Sequence, residues 1–220
     1  MDRTRIPSFY ALALLVGALL LAVGGWRHPV LSGDGAAQLQ GIADTAGWRG
    51  LHLLIVFGFP LVVAGLIGLL GRHINTPGAA AARAGMFLSV SGYGMALVGV
   101  VFMAGAGPAL ARAYARAEMG LTATHAVFVY DMLHPFALLA LRVGAFTIGL
   151  ATYAFGWAVV GGRMFPRWLG WAGVGAGAVG AGLALALNED APQVMGGVAL
   201  ATAWQGLVAV ALLRERPAAA

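Results

Sequence analysis

Apolar residues along the chain gather in six long runs broken by short polar stretches, with no sustained two-residue alternation of the kind that marks half-buried strands. The runs cover approximately residues 9–25, 51–71, 84–107, 135–160, 168–188 and 194–213. A helix crossing a hydrocarbon layer of about 30 Å needs roughly 20 apolar residues at about 1.5 Å of rise each. The first run, Phe9–Gly25, is slightly short, but Pro7 and Ser8 let it start near the interface. Gly24, Gly25, Trp26 and Arg27 form no small-x-small cleavage pattern, so it reads as a retained helix and not a signal peptide. The pattern predicts an all-α fold: one integral domain, a polytopic transmembrane helix bundle with six spans.

The breaks are unequal. Thr76-Pro77-Gly78 marks a short turn, Gly161–Arg167 a tight one, and Asn188–Pro192 the shortest. Two connections, Trp26–Gly50 and Pro108–His134, are long. Within the second, Arg112 and Arg116 stand four apart, opposite Leu110, Ala113, Tyr114 and Ala117. That spacing predicts a short helix over Pro108–Met119, lying in the interface with its arginine stems reaching toward headgroups. Asp34–Ala43 carries a weaker version, with Leu39 and Ile42 on its apolar side and glycines that discourage helix.

Composition sharpens this. The chain of 220 residues is 60% hydrophobic and 10% charged, which excludes a disordered segment and a small soluble enzyme. With no cysteine there is no disulfide, thiolate nucleophile or Cys-ligated metal. The net charge of +5 comes from arginines scattered singly or in pairs between apolar runs, a topological signal and not a nucleic-acid surface. Arg3, Arg5, Arg72, Arg83, Arg163, Arg167, Arg214 and Arg216 fall on one side, and Arg27, Arg49, Arg112 and Arg116 on the other. The positive-inside rule then puts both termini in the cytoplasm and both long connections outside.

The fifth run is rich in small residues, among them Gly173-x-x-x-Gly177, and the sixth answers with Gly197 and Ala201. Such surfaces let helix backbones approach closely, either within the chain or across a dimer seam. Gln205, near mid-membrane, calls for a partner on another helix. Ser89, Ser91 and Thr147 can return their bonds to their own helices.

Candidate chemistry concentrates near the outer face. The topology brings His52, His125 and His134 to one depth, while His28 lies in the first external loop and His73 on the cytoplasmic side. No H-E-x-x-H is present, and no catalytic motif of any kind stands out. Asp131 precedes His134 by three residues, so it can orient the imidazole if a helix begins that early; Pro135 suits a first helical position. Arg142 lies two turns deeper, where a guanidinium needs an interior, a cavity or an anion. It reads as a structural charge, an anion holder or a gate on a solute pathway. His52, Asp131, His134 and Arg142 thus outline a cofactor pocket. Heme b is its leading occupant, with His52 and His134 as axial ligands and Arg142 or Arg49 at the propionates. A divalent metal on His52, His125, His134 and Asp131 is the other.

Met164-Phe165-Pro166-Arg167-Trp168-Leu169-Gly170-Trp171, followed by a Gly/Ala/Val-rich helix, resembles a recurrent element of small uncharacterised bacterial multi-pass membrane proteins of the DUF4386-like kind. The resemblance covers about a tenth of the chain and implies an inner-membrane protein of about six helices, with Pro166 closing the turn and Arg167 and the tryptophans as anchors. It brings no catalytic residues. The sequence reading is therefore a non-enzymatic scaffold or accessory subunit in a bacterial cytoplasmic membrane. Its partners are lipids and either other subunits or a second copy of the chain. A cofactor-binding membrane protein and a small-solute transporter are the alternatives.

Overall fold

The computed structural model describes residues 5–116, 121–188 and 191–214, and among them every regular element is helical. In chain order the helices are α1 (Arg5–Trp26), α2 (Gly35–Asp44), α3 (Trp48–His73), α4 (Ala79–Ala104), α5 (Ala106–Arg116), α6 (Leu121–Gly162), α7 (Arg167–Ala186) and α8 (Pro192–Arg214). Six of them, α1, α3, α4, α6, α7 and α8, are long and apolar enough to cross a membrane. The chain is a multi-pass membrane protein.

The spans pack as a closed ring in which α1, α3, α4, α6, α7 and α8 each touch the next and α8 returns to α1. One end carries the start of α1, the end of α8 and the turns between α3 and α4 and between α6 and α7. The other carries α2, α5 and the first turns of α6, which together make a cap. Inside the ring, Phe59, Leu66, Tyr93, Ile148, Phe155 and Trp204 form one buried cluster. Tyr93 and Gln205 meet there: the Gln205 amide donates to the Tyr93 hydroxyl at 2.7 Å, and the hydroxyl donates back to Oε1 at 3.0 Å. The Trp204 indole donates to the Leu169 carbonyl at 2.8 Å.

The seams between adjacent spans run on glycines spaced by seven. On α4, Gly78, Gly85, Gly92 and Gly99 abut Ala158, Phe155, Ile148 and Leu141 of α6 in turn. A seven-residue step returns to nearly the same helix face every two turns, so one edge of α4 stays bare along its length. Gly149 and Gly156 of α6 meet Gly177 and Gly170 of α7 backbone to backbone, and Gly17 of α1 lies against the backbone of Val62 and Gly58 of α3. In a membrane, where lipid tails are as apolar as side chains, this close approach supplies the packing attraction that holds helices together. Gly173 and Gly177 meet different neighbours. Gly173 faces Trp204 of α8, alongside Gly180 against Gly197, and also touches Gly156 of α6, whereas Gly177 faces Tyr153 and Gly149 of α6. All four serve packing within this chain.

Two expectations need correction, and a third is met. The fourth span begins at Leu121 and not at Pro135, which lies inside a continuous helix of 42 residues, about 63 Å long. Pro135 removes one backbone bond, but it is exposed. The helix persists through it because α2 and α5 both pack on the turns before it. Most of the connection Pro108–His134 is accordingly helix: α5 begins at Ala106, and α6 supplies the rest beyond residues 117–120, which lie outside the described residues. The weaker helix in the first connection does form. Asp34 caps α2 by accepting from the Ala37 amide at 2.9 Å, and Leu39 and Ile42 are buried in a second apolar cluster with Trp48, Met103, Ala111 and Tyr130.

Candidate functional site

The polar residues of the cap end fall into three separate groups. The first begins at Trp48, the opening residue of α3, which follows Gly47 in a left-handed turn at φ 79°. The Trp48 indole donates to the Met103 carbonyl at the end of α4 at 2.8 Å, which fixes the ring between two helices. One turn on, His52 is 2% exposed and its Nδ1 lies 2.8 Å from the Trp48 carbonyl. His28, just beyond α1, places its Nε2 3.0 Å from His52 Nε2. The Trp48 ring lies 4.6 Å from that of His52 and 5.4 Å from that of His28, so the three rings form one cluster. Burial pushes the His28 pKa below its ordinary value, and a backbone hydrogen bond at Pro29 opposes the shift.

The second group lies on the upper part of α6. His134 stacks on Tyr130 at 4.6 Å and 18°, with Phe102 of α4 at 6.5 Å. The Tyr130 hydroxyl donates to Gln38 Oε1 at 2.9 Å, and Gln38 Nε2 donates to the Gly33 carbonyl at 3.0 Å. Asp131 sits against Gly35, the first residue of α2, so closely that a Cβ there would overlap its carboxylate. A carboxylate at the positive end of a helix is favourable, and this contact pins α2 to α6.

Arg142 forms the third. Its Nε donates to the Ala184 carbonyl at 2.8 Å and its Nη2 to the Leu185 carbonyl at 3.2 Å. These belong to the last turn of α7, where helix carbonyls lack partners and attract a cation. The structural reading of Arg142 therefore has its partner: the C-terminal end of α7. Gln205 likewise has its partner in Tyr93. Ser89, Ser91 and Thr147 bond to Gly85, Phe87 and Val143 on their own helices.

The expected pocket of His52, Asp131, His134 and Arg142 is thus divided. Asp131 and Arg142 share a face of α6, but eleven residues separate them by about 16 Å along the axis. His125 is exposed and nine residues from His134, half a revolution round the helix. Among the described residues no three His, Asp or Glu side chains gather as a metal site. Both ring nitrogens of His52 are engaged, by Trp48 and His28, and one face of His134 lies on Tyr130. Away from the cap, an apolar depression of about 360 Å³ is lined by Tyr10, Ile67, Gly68, Leu70, Gly71, Arg72, Ile74 and Leu212.

His28, Trp48 and Gln38 escape the sequence reading as site residues. The signal for His28 lies in connectivity: the first long connection joins antiparallel neighbours, so residues just after α1 and just inside α3 must meet. No family model, curated protein or solved structure matches the chain.

Proposed function

We propose that this multi-pass protein is a non-enzymatic scaffold or accessory subunit of a larger membrane assembly, in a bacterial cytoplasmic membrane with its termini on the cytoplasmic side. The carrying observation is an uncovered apolar stripe on α6. At the level of Arg142, α7 ends, but α6 runs on toward Leu121 for a further 21 residues, about 31 Å. Along this projecting part Phe128, Met132 and Phe136 are 64%, 65% and 61% exposed at four-residue spacing, with Leu139 following at 50%. Aromatic and methionine side chains in a row are the composition of helix-docking surfaces. The ring interior, filled by Phe59, Tyr93, Phe155 and Trp204 and latched by Gln205, supports a structural role over a solute path. The arginine asymmetry supports the orientation.

The test is site-specific photocrosslinking from Phe128, Met132 and Phe136 in native membranes, with a lipid-facing control at Phe87, which is 72% exposed on α4. The expected result is one discrete protein adduct from the α6 positions and none from Phe87. Lipid adducts alone from all four positions sink the proposal. Saturable solute uptake by the reconstituted protein would replace it with the transporter reading.

A further inference from the structure

The seam between α1 and α3 is closed at three levels and then parts. Gly17 lies against Val62, Leu14 against Gly65 and Tyr10 against Gly68, each so close that a Cβ on the glycine would overlap its neighbour. About one turn further along α3, a Cβ on Gly71 would meet nothing within 4 Å. The apolar depression of about 360 Å³ opens there, walled by Tyr10 of α1, Ile67 and Leu70 of α3 and Leu212 of α8. Ile67, Gly71 and Ile74 share one exposed face of α3, whereas Leu66 and Leu69 are buried on the other, so the depression opens on the lipid side of the bundle. Arg72, half-buried in the last turn of α3, lines it too. Charge divides along the bundle axis. Among the described residues the acids are Asp34, Asp44 and Asp131, all at the cap end. The opposite end carries Arg72, Arg83, Arg163, Arg167 and Arg214 and, among the described residues, no acid.

We propose that this depression is a binding site for one anionic phospholipid, with an acyl chain lying over Gly71 and the phosphate at Arg72. An apolar trough ending at a guanidinium fits an amphiphile with a negative head. Hydrocarbon covers Ile67, Leu70 and Leu212, and the head meets the basic end of the bundle. A free inorganic anion leaves those apolar walls uncovered, and a lipid without net charge gains nothing from the arginines. The missing side chain at Gly71 lets the acyl chain approach the α3 backbone closely, as small residues do between helices. Phe9, 62% exposed and edge-on to Tyr10, sets an aromatic pair beside the site, as is common at headgroup level. The site requires only that the chain span a membrane, so it stands apart from the subunit role proposed above.

The experiment is native mass spectrometry of the full chain in mild detergent. It is titrated with dioleoyl phosphatidylglycerol or with dioleoyl phosphatidylcholine, which has the same acyl chains and no net charge. The expected result is one phosphatidylglycerol retained per chain, about fivefold more tightly than phosphatidylcholine. Arg72→Gln removes that preference, while Arg83→Gln, at the same end but outside the depression, keeps it. Gly71→Leu fills the depression and weakens both lipids, whereas Gly182→Leu, also in open space but on α7, changes neither. Should Arg72→Gln fail to fold, Gly71→Leu still decides, because its added side chain has room. Equal retention of the two lipids, or undiminished retention in Gly71→Leu, overturns the proposal. So does inorganic phosphate binding as tightly as phosphatidylglycerol, the mark of a simple anion site. A parent chain that retains no lipid, as when its own ends cover the depression, overturns it as well.

Discussion

The body of the bundle and its cap join the same helix, α6, to its neighbours with different chemistry. Along the body, α6 meets α4 and α7 at glycines, and Arg142 adds a polar contact at the last turn of α7. In the cap it meets α2 through the Tyr130–Gln38 bond and the Asp131 carboxylate on Gly35, and α5 through the apolar cluster around Ala111. The seams of the body have no room for an added atom, whereas the cap is joined largely through side chains. Rigidity in this molecule is therefore a matter of backbone spacing, and adaptability belongs to the end where the histidines are.

The sharpest break of that contrast is steric. In Gly156→Leu the new Cβ meets Val174 N at 2.5 Å and the Gly170 carbonyl at 2.8 Å, so the α6/α7 seam must open. We expect a loss of about 3 kcal/mol or more, read as a collapsed thermal transition in detergent. Gly175→Leu, on the same α7 but with open space around it, stays within about 0.5 kcal/mol of the parent. Equal effects from the two would dissolve the idea of seams. Next in size is Gln205→Leu, which strands the Tyr93 hydroxyl in the bundle centre and costs about 1–2 kcal/mol. Adding Tyr93→Phe should return part of that loss, a recovery that a double-mutant cycle measures directly.

Arg142→Gln comes third. Its expected cost is about 1 kcal/mol, concentrated in the last turn of α7, where the Leu187 amide, bonded to the Leu183 carbonyl, exchanges faster. Unchanged exchange there would mean that water replaces the guanidinium without loss. The smallest effect belongs to the cap. His28 has a lowered pKa in the folded chain, so the unfolded chain binds the proton more readily. Stability from this group is present above the ordinary value of 6.5 and declines as the pH falls from there toward the folded pKa. Hydrogen-exchange protection at the start of α3, where Trp48 and His52 meet His28, should therefore fall on acidification while that in α4 holds, and a uniform response would erase the distinction between the cap end and the body.

Much of the body is legible in the sequence because lipid imposes a length on apolar runs. Even the seams are present as Gly78, Gly85, Gly92 and Gly99, though the eye goes first to the four-residue step Gly173–Gly177, whose members face different neighbours. The start of α6 is hidden by Pro135, whose preference for a first turn is outweighed by tertiary packing on the turns before it. The site is less legible. Asp131 and His134 stand out by their spacing, yet Asp131 lies against Gly35 and His134 on Tyr130, while Arg142 bonds to α7 backbone, and carbonyl acceptors leave no trace in residue identity. His28 meets His52 across 24 residues of chain, and only the pairing of α1 with α3 reveals the encounter.

The Tyr93–Gln205 latch has a consequence in time. Its two residues are 112 positions apart, and at roughly 5–20 residues per second the ribosome needs about 6–22 s to travel between them. During that interval α1, α3 and α4 have been delivered to the bilayer, and the Tyr93 hydroxyl waits among them without its amide. Until α8 enters, the nascent ring is a horseshoe with its polar centre open on one flank. Entry of α8 shuts it, so a ribosome stalled before Gln205 would leave a half-built bundle whose Tyr93 hydroxyl has yet to meet its amide.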